Sequence, residues 1–248
     1  EDELPEFIGD DGHFSTMFDF SAHELTYGEH GWYDSKPIEF KKWRDTLFAS
    51  QLKLQKAGFA ANIIENHDEP RGASRYLPEH ARNEAGKKML GTTSILLRGI
   101  PFIYQGQEIG MTNIYPETID GYEDVQTINQ YHHFATHKSE KKRMQRIYWG
   151  SRDSARTPVQ WSDAPNAGFT TGTPWFAVNE NYPKINVAAQ EDDPDSLLNF
   201  YREALRLRHE LPVVRYGTFR QYYPLSNKLF VYERRAKRER LLVICSYS

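Results

Sequence analysis

Residues 14–108 alternate short apolar runs with helical patterns, and that order constrains the fold more than any other feature of the chain. The first run, residues 14–20, reads as a short strand. Pro37 then stands where a helix can start, and Phe40, Trp43, Leu47 and Leu54 follow as one apolar stripe on a helix reaching residue 57. Gly58 closes that helix. Residues 59–64 form a second apolar run, which opens into Glu65-Asn66-His67-Asp68-Glu69-Pro70-Arg71. A second helix fits residues 83–97 with Ala85, Met89, Thr93 and Leu96 inward, and residues 100–104 read as a buried strand ending in Gln105-Gly106-Gln107-Glu108. Strand, helix, strand, helix, strand predicts an α/β fold of parallel units. In such units chemistry gathers at the carboxyl ends of the strands, where the polar clusters lie.

The rest of the chain has a different texture. Residues 112–187 are rich in Tyr, Asn, Gly, Thr and Pro, with weak periodicity apart from a helix expected through 139–147. A long irregular stretch of this kind predicts functional loops rather than a linker. Leu197, Phe200, Ala204, Leu207 and Leu211 recur at helical steps, and Asp195 or Ser196 can cap that helix. Beyond Pro212, residues 216–223, 229–234 and 241–247 read as short strands. The expected division is 1–211 for the α/β part and 212–248 for the beginning of a separate all-β domain.

Charge and composition narrow the function. The 248 residues carry a net charge of -3, which gives no electrostatic footprint for nucleic acid and no polybasic face for a membrane. Lys and Arg gather at 138–146 and 234–240, but acidic residues lie close to both, and a solvated face is the simpler reading. No segment reaches the ~18 apolar residues of a membrane span. The single cysteine, Cys245, follows Leu241-Leu242-Val243-Ile244 and reads as a buried strand residue in a reducing, cytoplasmic setting. The opening Glu1-Asp2-Glu3 is acidic, unlike a signal peptide, and the absence of an initiating Met fits a piece of a longer protein.

The chemistry concentrates in Asn66-His67-Asp68. A carboxylate beside an imidazole and near arginines can hold sugar hydroxyls and oppose the positive charge of an oxocarbenium-like transition state. An ion pair of Asp68 with Arg71 or Arg75 would explain the same residues structurally, and spacing alone leaves both readings open. His132, His133 and His137 do not follow a metal-ligand pattern, so no metal is expected. No glycine-rich phosphate loop and no nucleophile elbow occurs.

Several segments in order resemble the α-amylase superfamily, glycoside hydrolase family 13, in its oligo-1,6-glucosidase and dextran glucosidase branch. Glu65-Asn66-His67-Asp68-Glu69-Pro70-Arg71 is similar to that family's fourth short conserved region. Residues 101–113 look like its eighth barrel strand and loop, and residues 152–161, 167–172 and 179–187 resemble loops of the branch. The resemblance implies the last three strands of a (β/α)8 TIM barrel followed by the start of a C-terminal β-sandwich. It gives Asp68 the role of transition-state stabiliser, His67 and Arg152 contacts to the substrate sugar, and Arg156 and Trp161 a bracing role in their loop. Glu108 would be structural. The implied substrates are short α-linked gluco-oligosaccharides, α-1,6 with α-1,4 left open, cleaved with retention. The family's nucleophile and general acid lie on earlier strands, so this chain is expected not to hydrolyse glycosides alone. No cofactor is implied, and the branch's structural calcium falls outside this segment. Glu69 departs from the branch, which often carries Gln there. A sucrose isomerase or transglucosylase, and a non-catalytic transporter-associated relative, share enough of these motifs to stand as alternatives. An incomplete barrel also predicts exposed apolar faces and self-association.

Overall fold

The computed structural model describes residues 3–29, 31–134 and 138–247. Strands β1 (Thr16–Phe18), β2 (Phe59–Ile63) and β3 (Ile100–Phe102) form a parallel sheet in that order. The register sets Thr16 beside Phe59 and Ala61 beside Ile100. Helix α1 (Phe40–Leu54) joins the first pair and α2 (Glu84–Ile95) the second, giving the long crossovers that parallel pairing requires. The backbone is still extended at Glu39, so α1 begins later than Pro37 suggested, and it buries Phe40, Trp43, Phe48 and Leu54. Asn83 caps α2, its side chain accepting from the Gly86 N–H at 3.0 Å. The inward face of α2 carries Met89, Leu90, Thr93 and Ile95, while Ala85 is exposed, contrary to the expected stripe.

The central strand β2 is largely buried, but β3 is not the buried strand that its apolar run implied. Ile100 and Phe102 are 38% and 39% exposed, and Phe18 and Phe20 are open to a similar degree. Phe18 stacks on Phe20 with ring centroids 5.6 Å apart and meets Phe102 edge-on at 5.0 Å. Helices cover one face of the sheet, and the other stays open among the described residues.

The described residues of 112–187 carry more regular structure than their sequence suggests. Helix α3 (Val125–His133) buries only Thr127 and Tyr131, too few for an apolar stripe, but Asp124 caps it by accepting from the Thr127 N–H at 3.1 Å. Helix α4 (Glu140–Gly150) matches the helix expected there, and one further turn, α5 (Asp153–Arg156), follows it. Tyr33, Tyr122, Tyr131, Phe134, Met144 and Ile147 give this region its own apolar core. Helix α6 (Leu197–Glu210) is capped by Ser196, whose hydroxyl accepts from the Asn199 N–H at 3.2 Å, and Tyr201 packs with Ile95 of α2.

Pro212–Tyr216 add one helical turn before the chain becomes β at Thr218. Strands β4 (Thr218–Tyr222), β5 (Leu229–Ala236) and β6 (Glu239–Ser246) form an antiparallel sheet. Its inner residues Phe219, Phe230, Tyr232, Val243 and Cys245 share a core with Phe40, Trp43 and Phe48 of α1. Phe230 meets Phe40 at 4.9 Å and Trp43 at 5.0 Å, both edge-to-face, pairs that contribute about 1 kcal/mol each beyond area burial. Two buried arginines fasten the sheet. Arg44 donates to the carbonyls of Pro224 at 2.6 Å and Leu229 at 3.3 Å. Arg234 donates to Leu96 O at 2.8 Å and Gly217 O at 2.7 Å, and burial pushes its pKa down to about 10. Burial likewise pushes the Cys245 thiol up to about 12, so it is an inert packing residue. Among the described residues no helix is long and apolar enough to cross a membrane.

Candidate functional site

Asp68 lies in the loop that follows β2, and two arginines from α5 and its cap reach its carboxylate. Arg152 Nη1 stands 3.3 Å from Oδ1, and Arg156 Nη2 stands 2.8 Å from the same oxygen. His67 Nε2 is 3.3 Å from Oδ2. The three residues singled out in the sequence, His67, Asp68 and Arg152, are therefore together. Arg156 belongs with them rather than to loop bracing alone, because its Nε also donates to the His67 carbonyl at 2.9 Å. The alternative ion pairs of Asp68 do not form: Arg71 pairs with Glu65 at 3.2 Å, and Arg75 pairs with Glu69.

The strand-end loop is held by its own turn and by a buried arginine. Asn66 Oδ1 accepts from the Asp68 N–H at 2.7 Å, closing an Asx turn that aims the two side chains. Arg71 has a fully buried side chain, and it donates to Gln105 O at 2.7 Å, Ser154 O at 3.2 Å and Ala155 O at 3.4 Å. One guanidinium thus ties the loop after β2 to the loop after β3 and to α5. Gly106, at φ 86°, lets the backbone pass close by; a Cβ there would run into Met111 and Arg71. Burial raises the Glu65 carboxyl above its ordinary value, with the Arg71 charge opposing that rise.

A second carboxylate positions Arg152. Asp124 Oδ1 accepts from Arg152 Nη2 at 2.6 Å, and its Oδ2 accepts from Thr127 Oγ1 at 2.9 Å. Burial alone would push the Asp124 carboxyl up, but the hydrogen bonds from Arg152 and Thr127 outweigh it and hold it below the ordinary carboxylate value. Hydrogen bonding to Asp124, with the charges of Asp124 and Asp68, holds the Arg152 guanidinium above its own. Asp153 in turn accepts from the backbone N–H of Glu123 at 2.7 Å and of Asp124 at 3.2 Å. Asp124 was not among the residues the sequence nominated, and Arg156 was expected only to brace its loop. The signal for Asp124 was present as a helix cap three residues before Thr127, but it carried no hint of Arg152.

The site faces solvent through His67 and Asp68, whose side chains are 69% and 46% exposed. A small cleft beside them is lined by Tyr27, Trp32, Glu69, Arg75 and Trp149. Glu69 is buried there, accepting from Tyr27 Oη at 3.2 Å and paired with Arg75, so its charge is neutralised locally. Carboxylate, imidazole and guanidinium groups beside aromatic rings suit a polyhydroxylated ligand with an apolar face. The Trp161 ring is exposed, and Trp161 braces its loop through the backbone, its N–H donating to Ala167 O at 2.9 Å and its carbonyl accepting from the Ala188 N–H at 2.9 Å; Gln160, buried, adds bonds through Nε2 to Asn181 Oδ1 at 3.0 Å and Ile185 O at 2.5 Å. His132 and His133 sit on α3, and His137 lies outside the described residues. Among the described residues no three His, Cys, Asp or Glu side chains cluster as a metal site would need.

The catalytic domain of the α-amylase family matches residues 7–217, and the chain belongs to that family. It is 37% identical over 234 residues to an oligo-1,6-glucosidase of Parageobacillus thermoglucosidasius, covering 94% of this chain and 42% of that protein. A probable oligo-1,6-glucosidase of Bacillus subtilis is 39% identical over 98% of this chain and 44% of its own length. The chain therefore spans less than half the length of the curated relatives it matches. Among solved structures, trehalose-6-phosphate hydrolase of Bacillus licheniformis superposes with a TM-score of 0.93 at 33% identity, covering 99% of this chain and 45% of that one. An isomaltulose synthase of Erwinia rhapontici superposes at 0.92 with 31% identity, over 100% and 45% of the two chains. The three parallel strands are thus part of a (β/α)8 barrel, and the antiparallel sheet is the start of the domain that follows it.

Proposed function

We propose that the chain supplies the sugar-holding part of a retaining α-glucosidase acting on short α-linked gluco-oligosaccharides, with α-1,6 bonds the main target and α-1,4 bonds within reach. The observation that carries this reading is the convergence of His67 and Arg152 on Asp68. In this account Asp68 opposes the positive charge that develops on the sugar ring, while His67 and Arg152 donate to its hydroxyls. A retaining mechanism also needs a nucleophile and an acid, two carboxyl groups about 5 Å apart. Asp124 fills neither role, because it is buried and its oxygens are taken by Arg152 and Thr127. The pair is proposed to come from outside this segment, and the 42% coverage of the oligo-1,6-glucosidase relative supports that view. No cofactor enters the chemistry, and any structural calcium of the branch belongs to the same missing portion. The buried, unreactive Cys245 supports a reducing, cytoplasmic setting.

The test is the rate of isomaltose hydrolysis by the protein as its gene encodes it, with and without Asp68→Asn. A fall of about 10²–10³ in kcat is expected, the scale of losing one electrostatic stabiliser. A variant within twofold of the parent would remove the reading. The same assay with sucrose addresses a second reading, in which the glucosyl group leaves sucrose and is passed to another hydroxyl of the released fructose to give a sucrose isomer, which the superposition on isomaltulose synthase favours.

A further inference from the structure

Four arginines are buried among the described residues, and three of them lie against a carboxylate. Arg44 pairs with Asp45 at 2.7 Å, Arg71 with Glu65 at 3.2 Å, and Arg75 with Glu69. Arg234 is fully buried and has no such partner among the described residues. It donates only to backbone carbonyls, Leu96 O at 2.8 Å and Gly217 O at 2.7 Å and 3.2 Å. A buried cation ordinarily has a counter-charge. The cluster 234–240 reads in sequence as a solvated face, but its first member lies inside the junction between the barrel segment and the antiparallel sheet.

The neighbours of Arg234 deepen the imbalance. Arg208, near the C-terminus of α6, donates to Ile95 O at 2.9 Å and to Gly99 O. Arg98 stands in that same turn between α2 and β3, donating to Gly58 O with its guanidinium 4.4 Å over the Phe59 ring. Arg215, in the turn Pro212–Tyr216 that follows α6, has a buried Nε with no acceptor. Burial lowers the pKa of Arg98, and burial followed by the Arg215 charge lowers that of Arg208. At Arg234 burial is again the main cause of the fall; the Tyr232 hydroxyl opposes it, and the charges of Arg208 and Arg98 add to it. The Glu239 carboxylate, on β6, is turned to the Val213 N–H at 3.3 Å. The carbonyls at the end of α2 supply only about half a negative charge, so most of the charge on these guanidinia is uncompensated. We propose that Arg98, Arg208 and Arg215 bind a tetrahedral dianion of the phosphate class at this junction, with the Arg234 charge behind them. Guanidinium forks match phosphate oxygens two at a time, and a dianion offsets more of the surplus than chloride or a carboxylate can. Held there, it joins the α2–β3 turn to α6 and to the turn Pro212–Tyr216, and so fastens the antiparallel sheet to the barrel segment. The proposal is independent of the sugar reading of Asp68.

The test is calorimetric titration of the protein with inorganic phosphate, acetate and chloride at matched ionic strength, repeated on Arg215→Gln, Arg215→Lys and Arg202→Gln. Arg215 holds no backbone carbonyl, unlike Arg98 and Arg208, so its loss spares the fold, and thermal melts verify this. Phosphate is expected to bind at least about tenfold more tightly than acetate or chloride and to raise the melting temperature as its concentration rises. Arg215→Gln loses at least about tenfold of that affinity and Arg215→Lys loses less. Arg202→Gln, which removes an exposed charge paired with Glu191 on the same helix, keeps it. Anions that act alike at matched ionic strength, or a phosphate affinity unchanged in Arg215→Gln, overturn the site. A dimer in sedimentation velocity that Arg215→Gln dissolves, with no phosphate bound, gives the junction to a carboxylate of a second copy and overturns the free anion.

Discussion

The Arg156 guanidinium approaches the Asp68 carboxylate to 2.8 Å, closer than Arg152 at 3.3 Å, and both bond the same oxygen. Oδ2 is left to face His67. Arg156 also holds the His67 carbonyl, so it fixes the peptide between the two residues as well as the charge. Arg156→Ala is expected to weaken methyl α-glucoside binding by about 10–100-fold, the range for a charge-assisted hydrogen bond. Arg156→Lys should recover only part, since an ammonium cannot span both acceptors in the fork geometry of a guanidinium. Calorimetry that finds the alanine variant unchanged would place Arg156 outside the site.

The buried Arg71–Glu65 pair joins three loops, and breaking it strands a charge. Arg71→Met is expected to destabilise the chain by about 3–5 kcal/mol in urea unfolding, because Glu65 is left buried without its partner. The double change with Glu65→Leu should restore part of that loss. A single variant within about 1 kcal/mol of the parent would contradict the pairing.

His23 sets a pH dependence of stability. It is buried, and burial followed by the Arg75 charge pushes its pKa down to about 3. Below the ordinary histidine value of about 6.5 the unfolded chain takes up a proton that the folded chain refuses. Stability from this group is complete above that value and declines as the pH falls toward 3. The slope is up to about 1.4 kcal/mol per pH unit, or about 2 kcal/mol between pH 7 and pH 5. His23→Phe should flatten that part of the profile. Unfolding curves at the two pH values that shift equally in parent and variant would refute it.

The open face of the parallel sheet predicts association. Phe18, Phe20 and Phe102 form one exposed aromatic group, and such patches drive self-association in water. Sedimentation velocity should show concentration-dependent oligomers, reduced in Phe18→Ser/Phe102→Ser. A strictly monomeric parent over the micromolar range would count against this.

How far these features could be read beforehand depends on how local their causes are. The run 59–64 followed by Asn66-His67-Asp68 marks a strand and its polar end within a dozen residues, and the structure keeps both. The second arginine contact was hidden because it depends on α5 folding back across 88 residues of chain. Helix α3 escaped notice because it buries two residues rather than a stripe, although its Asp124 cap was present. The exposure of β3 has no local sequence signal, since Ile100 and Phe102 are apolar whether or not another layer covers them; only the expectation of an incomplete barrel pointed to open apolar faces. For residues 160–161 the resemblance pointed to Trp161 as a brace, and the structure divides that task between the Trp161 backbone and the buried Gln160 amide, a contact with no local signal.

The account stands or falls on whether one hexose touches the imidazole, the aspartate and the guanidinium at once. Nuclear magnetic resonance can follow the His67 ring and Arg152 Nε signals while methyl α-glucoside is added. Both signals should move along a single saturation curve with one dissociation constant, and Asp68→Asn should silence both. Signals that saturate at different concentrations, or that stay still as sugar binds elsewhere, would contradict it.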